Sequence, residues 1–303
     1  MELHLEIDGV SKRYARVVAV DRLSMRVPRG AVFGLLGPNG AGKTTTIRMI
    51  MRITLPDAGE IRLGGRVIDD DVRELIGYLP EERGLYRKMK VLDHLAFLGE
   101  VRGLERAEAR RRAADWIERL DLGPKASAKV EELSKGMQQK VQFAGAVMHQ
   151  PELVILDEPF TGLDPIATRQ FKDAILAMRE TGTTVLLSTH VLPQAEELCD
   201  HICLVNRGRS ILHGALDDIR ARFLRPVLKV VAQTSDAQLA AVPGVATVRQ
   251  GGGYRVVELI PGASTSLVIR EMASAVALEA VEPLVESLEE IFLRAVEADH
   301  AVA

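Results

Sequence analysis

The sequence predicts an α/β protein with a mainly parallel sheet, followed by a smaller α+β domain. Three observations carry that prediction. Short apolar runs alternate with helical patterns over the first two-thirds of the chain, as strands packed between helices do. A glycine-rich loop, Gly37-Pro38-Asn39-Gly40-Ala41-Gly42-Lys43-Thr44, separates one such run from a helical stretch. Beyond about residue 225 the pattern changes to strand, helix, strand, strand, helix, strand.

Leu3, Leu5 and Ile7 alternate with polar residues, the period of a half-buried strand. Val18, Val20, Leu23, Met25 and Val27 continue in strand, with a break expected near Asp21, and Pro28-Arg29-Gly30 is a turn. Residues 32–36 form a continuous apolar run, a buried strand, and residues 44–52 read as helix. Residues 91–122 read as two helices, 91–102 and 105–120, divided by Gly103. Residues 133–149 hold another, with Ser134 a good N-cap residue. The pattern then returns to strand (153–156), helix (169–180) and strand (183–188). A helical block is thus inserted between the first strands and the last ones. A boundary is expected near Arg225-Pro226. Behind it, 228–232, 245–248, 254–259 and 280–285 read as strands, and 236–241 and 267–276 as helices, a ferredoxin-like arrangement closed by a helix over 288–296.

At 303 residues the chain is long enough for roughly two domains of about 150 residues, and 47% hydrophobic content is ample for a core. A net charge of −3 gives no general attraction to nucleic acid or anionic lipid. The two cysteines, Cys199 and Cys203, make no disulfide framework and point to a reducing compartment. With His201 between them they lack a second ligand pair for a metal, so buried thiols are the expectation. The N-terminus lacks the basic start and apolar core of a signal peptide. No stretch reaches the roughly 18 unbroken apolar residues a membrane helix needs, so a membrane role requires a spanning partner. The basic run 106–112, with Glu105 and Glu108, reads as a solvated helix face with ion pairs.

A strand, a glycine loop and a helix in succession form the context of a phosphate-binding loop. Backbone N–H groups wrap phosphate oxygens there because glycine permits the close approach, and the helix N-terminus adds positive charge. Lys43 is expected on the β- and γ-phosphates and Thr44 on magnesium. The buried run Val154-Ile155-Leu156 ends in Asp157, a carboxylate placed for magnesium, and Glu158 follows as a candidate general base toward water.

With these residues the chain resembles the ATP-binding-cassette (ABC) ATPases over about residues 3–220. Tyr14 lies where that family stacks adenine on an aromatic ring. Gly37, Pro38, Asn39, Gly40, Ala41, Gly42, Lys43, Thr44 and Thr45 match its phosphate loop. Tyr78-Leu79-Pro80-Glu81 falls at the Q-loop, with Glu81 in place of the usual glutamine. Leu133-Ser134-Lys135-Gly136-Met137 falls at the signature, usually LSGGQ, and keeps the serine and the second glycine. Asp157 and Glu158 match the magnesium aspartate and catalytic glutamate. Asp164 matches the D-loop, and His190 the switch histidine. The resemblance implies a P-loop NTPase core with an N-terminal antiparallel β subdomain and an inserted helical subdomain. It implies ATP and Mg2+ as ligands, with Thr44, Asp157 and Glu81 on the metal. Glu158, His190 and Lys43 would be catalytic, and Ser134 and Gly136 would touch an ATP held by a second cassette. Arg83 follows Glu81 closely enough to offset its charge.

The expected domains are an ABC ATPase domain over 1–224, with the helical subdomain at about 88–150, and a small α+β domain over 225–303. The stretch 76–86 and the C-terminal segment 287–292 resemble the exporter-type cassettes of the sodium-efflux and drug-resistance groups. The expected function is the ATP-binding and ATP-hydrolysing subunit of an exporter, peripheral on the cytoplasmic face of the membrane. It would act with a second cassette, identical or paralogous, and a separate integral-membrane permease, with no nucleic-acid partner. The alternative is a soluble ABC ATPase in translation or DNA repair. Such proteins usually carry two cassettes or long coiled coils, and the chain has neither.

Overall fold

Alternating apolar residues at the start of the chain build two long antiparallel strands, β1 (Leu3–Tyr14) and β2 (Val17–Pro28). The computed structural model describes residues 2–82, 84–223, 227–284 and 286–302, the side chains of 298–302 excepted. Arg83, the boundary at Arg225-Pro226 and the strand end at Val285 lie outside the described residues. Leu5, Ile7 and Val10 of β1 and Val20, Leu23, Met25 and Val27 of β2 are buried. The break expected near Asp21 does not occur. The strand runs through it as a bulge, with Arg22 at φ 48° and register shifts along the pair. A bulge absorbs extra residues and keeps the apolar set on the core side.

β3 (Val32–Leu36) is buried along its whole length and leads through the glycine loop into α1 (Lys43–Ile50). β4 (Ala58–Leu63) pairs antiparallel with β1, and β5 (Arg66–Val67) with β4, giving a first sheet of order β2-β1-β4-β5. α2 (Asp70–Arg73) is capped by Asp69, whose carboxylate accepts the Val72 N–H at 2.8 Å. β6 (Ile76–Leu79) precedes the helical insert of α3 (Val91–Val101), α4 (Arg106–Arg119) and α5 (Lys135–Val147). Then follow β7 (Leu153–Asp157), α6 (Pro165–Glu180), β8 (Thr184–Thr189), α7 (Leu192–Leu198), β9 (His201–Asn206) and β10 (Arg209–Ala215). The second sheet has the order β10-β9-β3-β8-β7-β6 and is parallel except for its edge strand β10. Its inner strands are buried, β3, β7 and β8 along their whole length, because helices or the first sheet cover both faces. Ile47, Met49 and Ile50 of α1 join residues of both sheets in one buried cluster, where each large side chain contributes about 1.5–3 kcal/mol. The basic face of α4 is laced with ion pairs, Arg110 to Asp93 at 3.0 Å and Arg112 to Glu108 at 2.5 Å, in line with the reading of 106–112.

The chain divides into two compact units, one running to Leu216 and including residues from Ala295 on, the other Asp217–Arg294. After α8 (Leu216–Phe223) come β11 (Val227–Ala232), α9 (Asp236–Ala240), β12 (Val245–Gln250), β13 (Arg255–Leu259), α10 (Thr265–Ala275), β14 (Leu278–Pro283) and α11 (Leu288–Val302). The third sheet is antiparallel with the order β12-β13-β11-β14, the ferredoxin-like topology expected from the pattern. Leu228, Val230, Val257, Leu239, Val268 and Met272 form its core. Ser235 and Gln238 close a reciprocal capping box at the start of α9.

Candidate nucleotide site

Parallel pairing levels the carboxyl ends of four strands. Leu36 lies beside Thr189, Asp157 beside Ser188, and Leu79 beside Leu156. The loops that leave β3, β6, β7 and β8 therefore share one edge of the sheet, where open α/β folds bind ligands.

The first of these loops is shaped by two close approaches. A Cβ at Gly37 (φ 150°) would stand 2.2 Å from the Val205 carbonyl oxygen, and one at Gly42 (φ 107°) 2.6 Å from that of Ala19. Only glycine fits at either position. Lys43 is buried, and its Nζ donates to the carbonyls of Gly37 at 2.7 Å and Pro38 at 3.2 Å. Burial pulls its pKa below the ordinary lysine value, while Glu158, Asp157 and Glu81 act in the opposite direction. Pro38, Asn39 and Gly40 are exposed, and Thr44 and Thr45 are half-buried in the first turn of α1. That turn offers N–H groups without helical partners at the positive end of the helix.

Asp157 is 1% exposed, yet among the described residues neither carboxylate oxygen has a hydrogen-bond partner. Burial pushes its carboxyl above the usual carboxylate range. The hydroxyl of Ser188 pulls the other way, Glu81 and Glu158 add to the rise, and Thr44 opposes it. The two hydroxyls are near enough to matter electrostatically without closing bonds of ordinary geometry. A buried oxygen pair left this way suits a hard cation. Magnesium takes one or two carboxylates and completes its shell with phosphates and water. Asp157, the Thr44 hydroxyl and Glu81 fit that demand. Among the described residues no group of three or more His, Cys, Asp or Glu gathers into an all-protein cage.

Glu158 follows at φ 48°, a left-handed conformation that costs a non-glycine residue about 1–2 kcal/mol. Hydrogen bonds to Ser188, Thr189 and His190 hold it there. Its N–H donates to the Ser188 carbonyl at 2.9 Å. Its Oε2 accepts from the Thr189 hydroxyl at 3.0 Å, and its Oε1 from the His190 N–H at 3.0 Å. The His190 ring Nδ1 lies 2.7 Å from the same Oε1. Strain fixed by surrounding bonds in this way is characteristic of functional sites.

The structure gathers Lys43, Asp157, Glu158, Glu81 and His190 at this edge. Among the described residues, no hydrogen bond or ion pair joins Ser134, Gly136 or Asp164 to them. Ser134 is the N-cap of α5, its Oγ accepting the Met137 N–H at 3.3 Å. Leu133 is buried beneath it, and Ser134 and Lys135 are exposed. Asp164 caps α6 through the Ala167 N–H at 2.8 Å, a role the sequence reading did not assign. Tyr14 ends β1 opposite Val17; the residue is 45% exposed, with Lys12 Nζ 5.7 Å from the ring centroid. The same hairpin presents Ala19 to Gly42, so Tyr14 lies on the element that touches the phosphate loop.

Sequence reasoning missed three participants. Thr189 positions Glu158, and Gln139 and Gln142 of α5 donate to loop carbonyls, Gln139 to Pro159 at 3.2 Å and Gln142 to Pro80 at 2.9 Å. The available signal was a pair of glutamines three residues apart on an otherwise apolar helix face. Cys199 and Cys203 are buried; burial pushes both thiols up, Cys203 to about 11, and Cys203 Sγ donates to Ser210.

A phosphate loop after the first core strand, an acidic pair after a neighbouring strand and a helical insert between them define a P-loop ATPase of the cassette type. The sequence matches the ABC transporter family model over residues 20–161 and a model described as ATP-binding protein DrrA1-3-like, C-terminal domain, over 214–296. It is 46% identical to the uncharacterised ABC transporter ATP-binding protein YhaQ of Bacillus subtilis over 72% of this chain and 74% of that one. It is 37% identical to the linearmycin resistance ATP-binding protein LnrL of the same organism over 72% and 71% of the two chains. Among solved structures, an ATP-binding subunit of an ABC transporter matches with TM-score 0.68 and 35% identity, over 73% of this chain and 93% of that one. The chain belongs to the ATP-binding proteins of ABC transporters and is an ATPase.

Proposed function

We propose that this ATPase drives an exporter, through ATP-dependent closure of two cassettes beneath a separate integral-membrane permease. Glu158 accepts a proton from the water that attacks the γ-phosphate, and His190 and Thr189 hold its carboxylate in place. Lys43 and the first turn of α1 stabilise charge on the transferred phosphoryl group. Asp157, Thr44 and Glu81 would hold magnesium, which would supply positive charge to the phosphates. Tyr14 stacks on the adenine, Asp164 lies at the cassette interface, and Ser134 and Gly136 contact the ATP of the opposing cassette. Those last contacts exist only while the γ-phosphate is intact, so binding favours closure and hydrolysis reverses it.

The observation that carries this reading is the strained Glu158, fixed by bonds from Thr189 and His190, beside a buried Lys43 and a buried Asp157 whose carboxylate has no hydrogen-bond partner among the described residues. The permease reading draws on a cavity of about 490 Å³ beside Glu81, lined by Ile53, Tyr78, Pro80, Leu85, Val101 and Gln142. Ile53 and Val101 are 63% and 65% exposed there, apolar surface available to a partner helix. Arg87, Lys88 and Lys90 follow in the same segment. Export draws on the names of relatives, linearmycin resistance and Nod factor export. No described helix is long and apolar enough to cross a membrane.

Glu158→Gln tests the centre of this reading. It is expected to keep ATP binding, lose about 10²–10⁴-fold in turnover, and accumulate as an ATP-bound dimer in size-exclusion chromatography. Unchanged turnover removes Glu158 as the base. Absence of a dimer removes closure. Recovery from membranes with one integral protein tests the permease, and recovery with ribosomes or DNA overturns it.

A further inference from the structure

The helix that begins at Ser134 is tied by its buried face to the catalytic edge. Gln139 and Gln142 stand three residues apart on α5, on one face, and are 3% and 7% exposed. Gln139 Nε2 donates to the carbonyl of Pro159, the residue after Glu158, at 3.2 Å. Gln142 Nε2 donates to the carbonyl of Pro80 at 2.9 Å and to that of Glu82 at 3.2 Å. Those two carbonyls flank Glu81. A carboxamide nitrogen carries two hydrogens, and here each goes to a peptide on a different side of the same residue. The amide orientation follows from this, because the flipped form would set an oxygen against two oxygens. The other end of the group, Oε1, is buried without a partner among the described residues, where the bonds to the loop are the side chain's own.

We propose that Gln142 is a positioning residue for Glu81: it clamps the peptides on both sides of that carboxylate and makes its loop move with the helix that presents Ser134 and Gly136. Glu81 acts electrostatically on Lys43 and Asp157, so a fixed backbone at 80–82 fixes a negative charge beside the phosphate and metal positions. α5 packs directly against β6, which leads into this loop, so the clamp spans a short, rigid path. Gln142 also lines the cavity beside Glu81, so a partner segment entering that cavity meets the clamp itself. The inference rests on the reading of Glu81 as a residue of the metal and γ-phosphate site.

A double-mutant cycle in the full chain tests it. Gln142→Met keeps the volume and removes both N–H donors. Gln142→Glu keeps the shape and replaces the donors with an acceptor. Each is expected to lower kcat about tenfold, the effect of losing hydrogen bonds of ordinary strength, with the KM for ATP within about twofold. Half-maximal activity is expected to need more Mg2+. In a Glu81→Ala background the same substitutions are expected to change kcat by less than about twofold, because the residue they position is gone. Amide exchange is expected to speed up in residues 79–82 and to stay unchanged in 43–50. A full additional tenfold loss on Glu81→Ala overturns the positioning role and leaves Glu81 itself in place. Full activity of Glu81→Ala overturns the reading of Glu81 and the proposal with it. Wild-type kcat in both Gln142 variants, or exchange that rises equally across 43–50, overturns the proposal alone.

Discussion

The two units of the chain obey local rules to different degrees. In the second, Asp217–Arg294, every described residue with left-handed backbone is a glycine: Gly244, Gly253 and Gly262. Ser235 and Gln238 cap a helix by the standard reciprocal bonds, and the core alternates as the strand period requires. In the first unit, seven described non-glycine residues have positive φ, and Glu158 is one of them. Asp157 beside it is a buried carboxylate without a hydrogen-bond partner among the described residues. A sequence that specifies one structure satisfies local and global preferences together, and departures collect where chemistry demands them. The difference teaches that the catalytic edge is held in place against its own preferences, whereas the second unit is held by them.

Substitutions in the two units are therefore expected to move stability in opposite directions. The largest effect is expected from Met272→Ala in the second unit. Met272 is fully buried among Leu228, Val257 and Val268, and removing it costs about 2–5 kcal/mol through lost burial and a cavity. Urea denaturation measures it, and a cost under about 1 kcal/mol would mean a loose core there.

Asp157→Asn is expected to act with the opposite sign, raising stability by about 1–2 kcal/mol while abolishing Mg2+-dependent hydrolysis. The sign follows from linkage. The Asp157 carboxyl has a higher pKa folded than unfolded, so between those values the folded state holds more protons. Stability from this group falls as pH rises through that window, and the full cost of the anion is present at neutral pH. Denaturation of both proteins from mildly acidic to neutral pH measures this, and the variant is expected to show the smaller decline. A variant less stable than the parent at neutral pH would mean that Asp157 is paired in solution.

The same contrast explains what was legible in the sequence. The phosphate loop was legible because its glycines are required by contact: Gly37 against Val205 and Gly42 against Ala19 leave no room for a side chain. The run ending at Asp157 was legible because a strand buried on both faces must be apolar throughout. The α/β core and the ferredoxin-like sheet followed from the same periodicities. The bulge at Arg22 was misread as a break, since a local polar pair carries no sign that the partner strand absorbs it. The edge strands β5 and β10 were missed because neither is fully buried and their patterns are weak. Gln142 was missed for a deeper reason, since the pair with Gln139 hints at a shared face but not at what it meets. A glutamine on a helix reads as surface until the loop carbonyls that bury it are known, and these lie 60 and 62 residues away in sequence.

The smallest expected effect isolates the backbone alone. In regular structure alanine is preferred to glycine, so Ala273→Gly, at an exposed position inside α10, is expected to cost about 1 kcal/mol. At Glu158 the order is expected to reverse. Glu158→Ala and Glu158→Gly both delete the carboxylate and its bonds to Thr189 and His190, so their difference reads the main chain only. At φ 48° alanine keeps the clash of Cβ with the backbone and glycine does not. Against this, glycine loses more conformational freedom on folding, which trims the gain. The glycine variant is expected to be the more stable of the two by about 0.5–1 kcal/mol in urea denaturation. If the alanine variant is instead the more stable, as at position 273, the backbone at 158 relaxes once the carboxylate is gone. The side-chain bonds to Thr189 and His190, rather than the loop itself, would then be what holds Glu158 in its left-handed conformation.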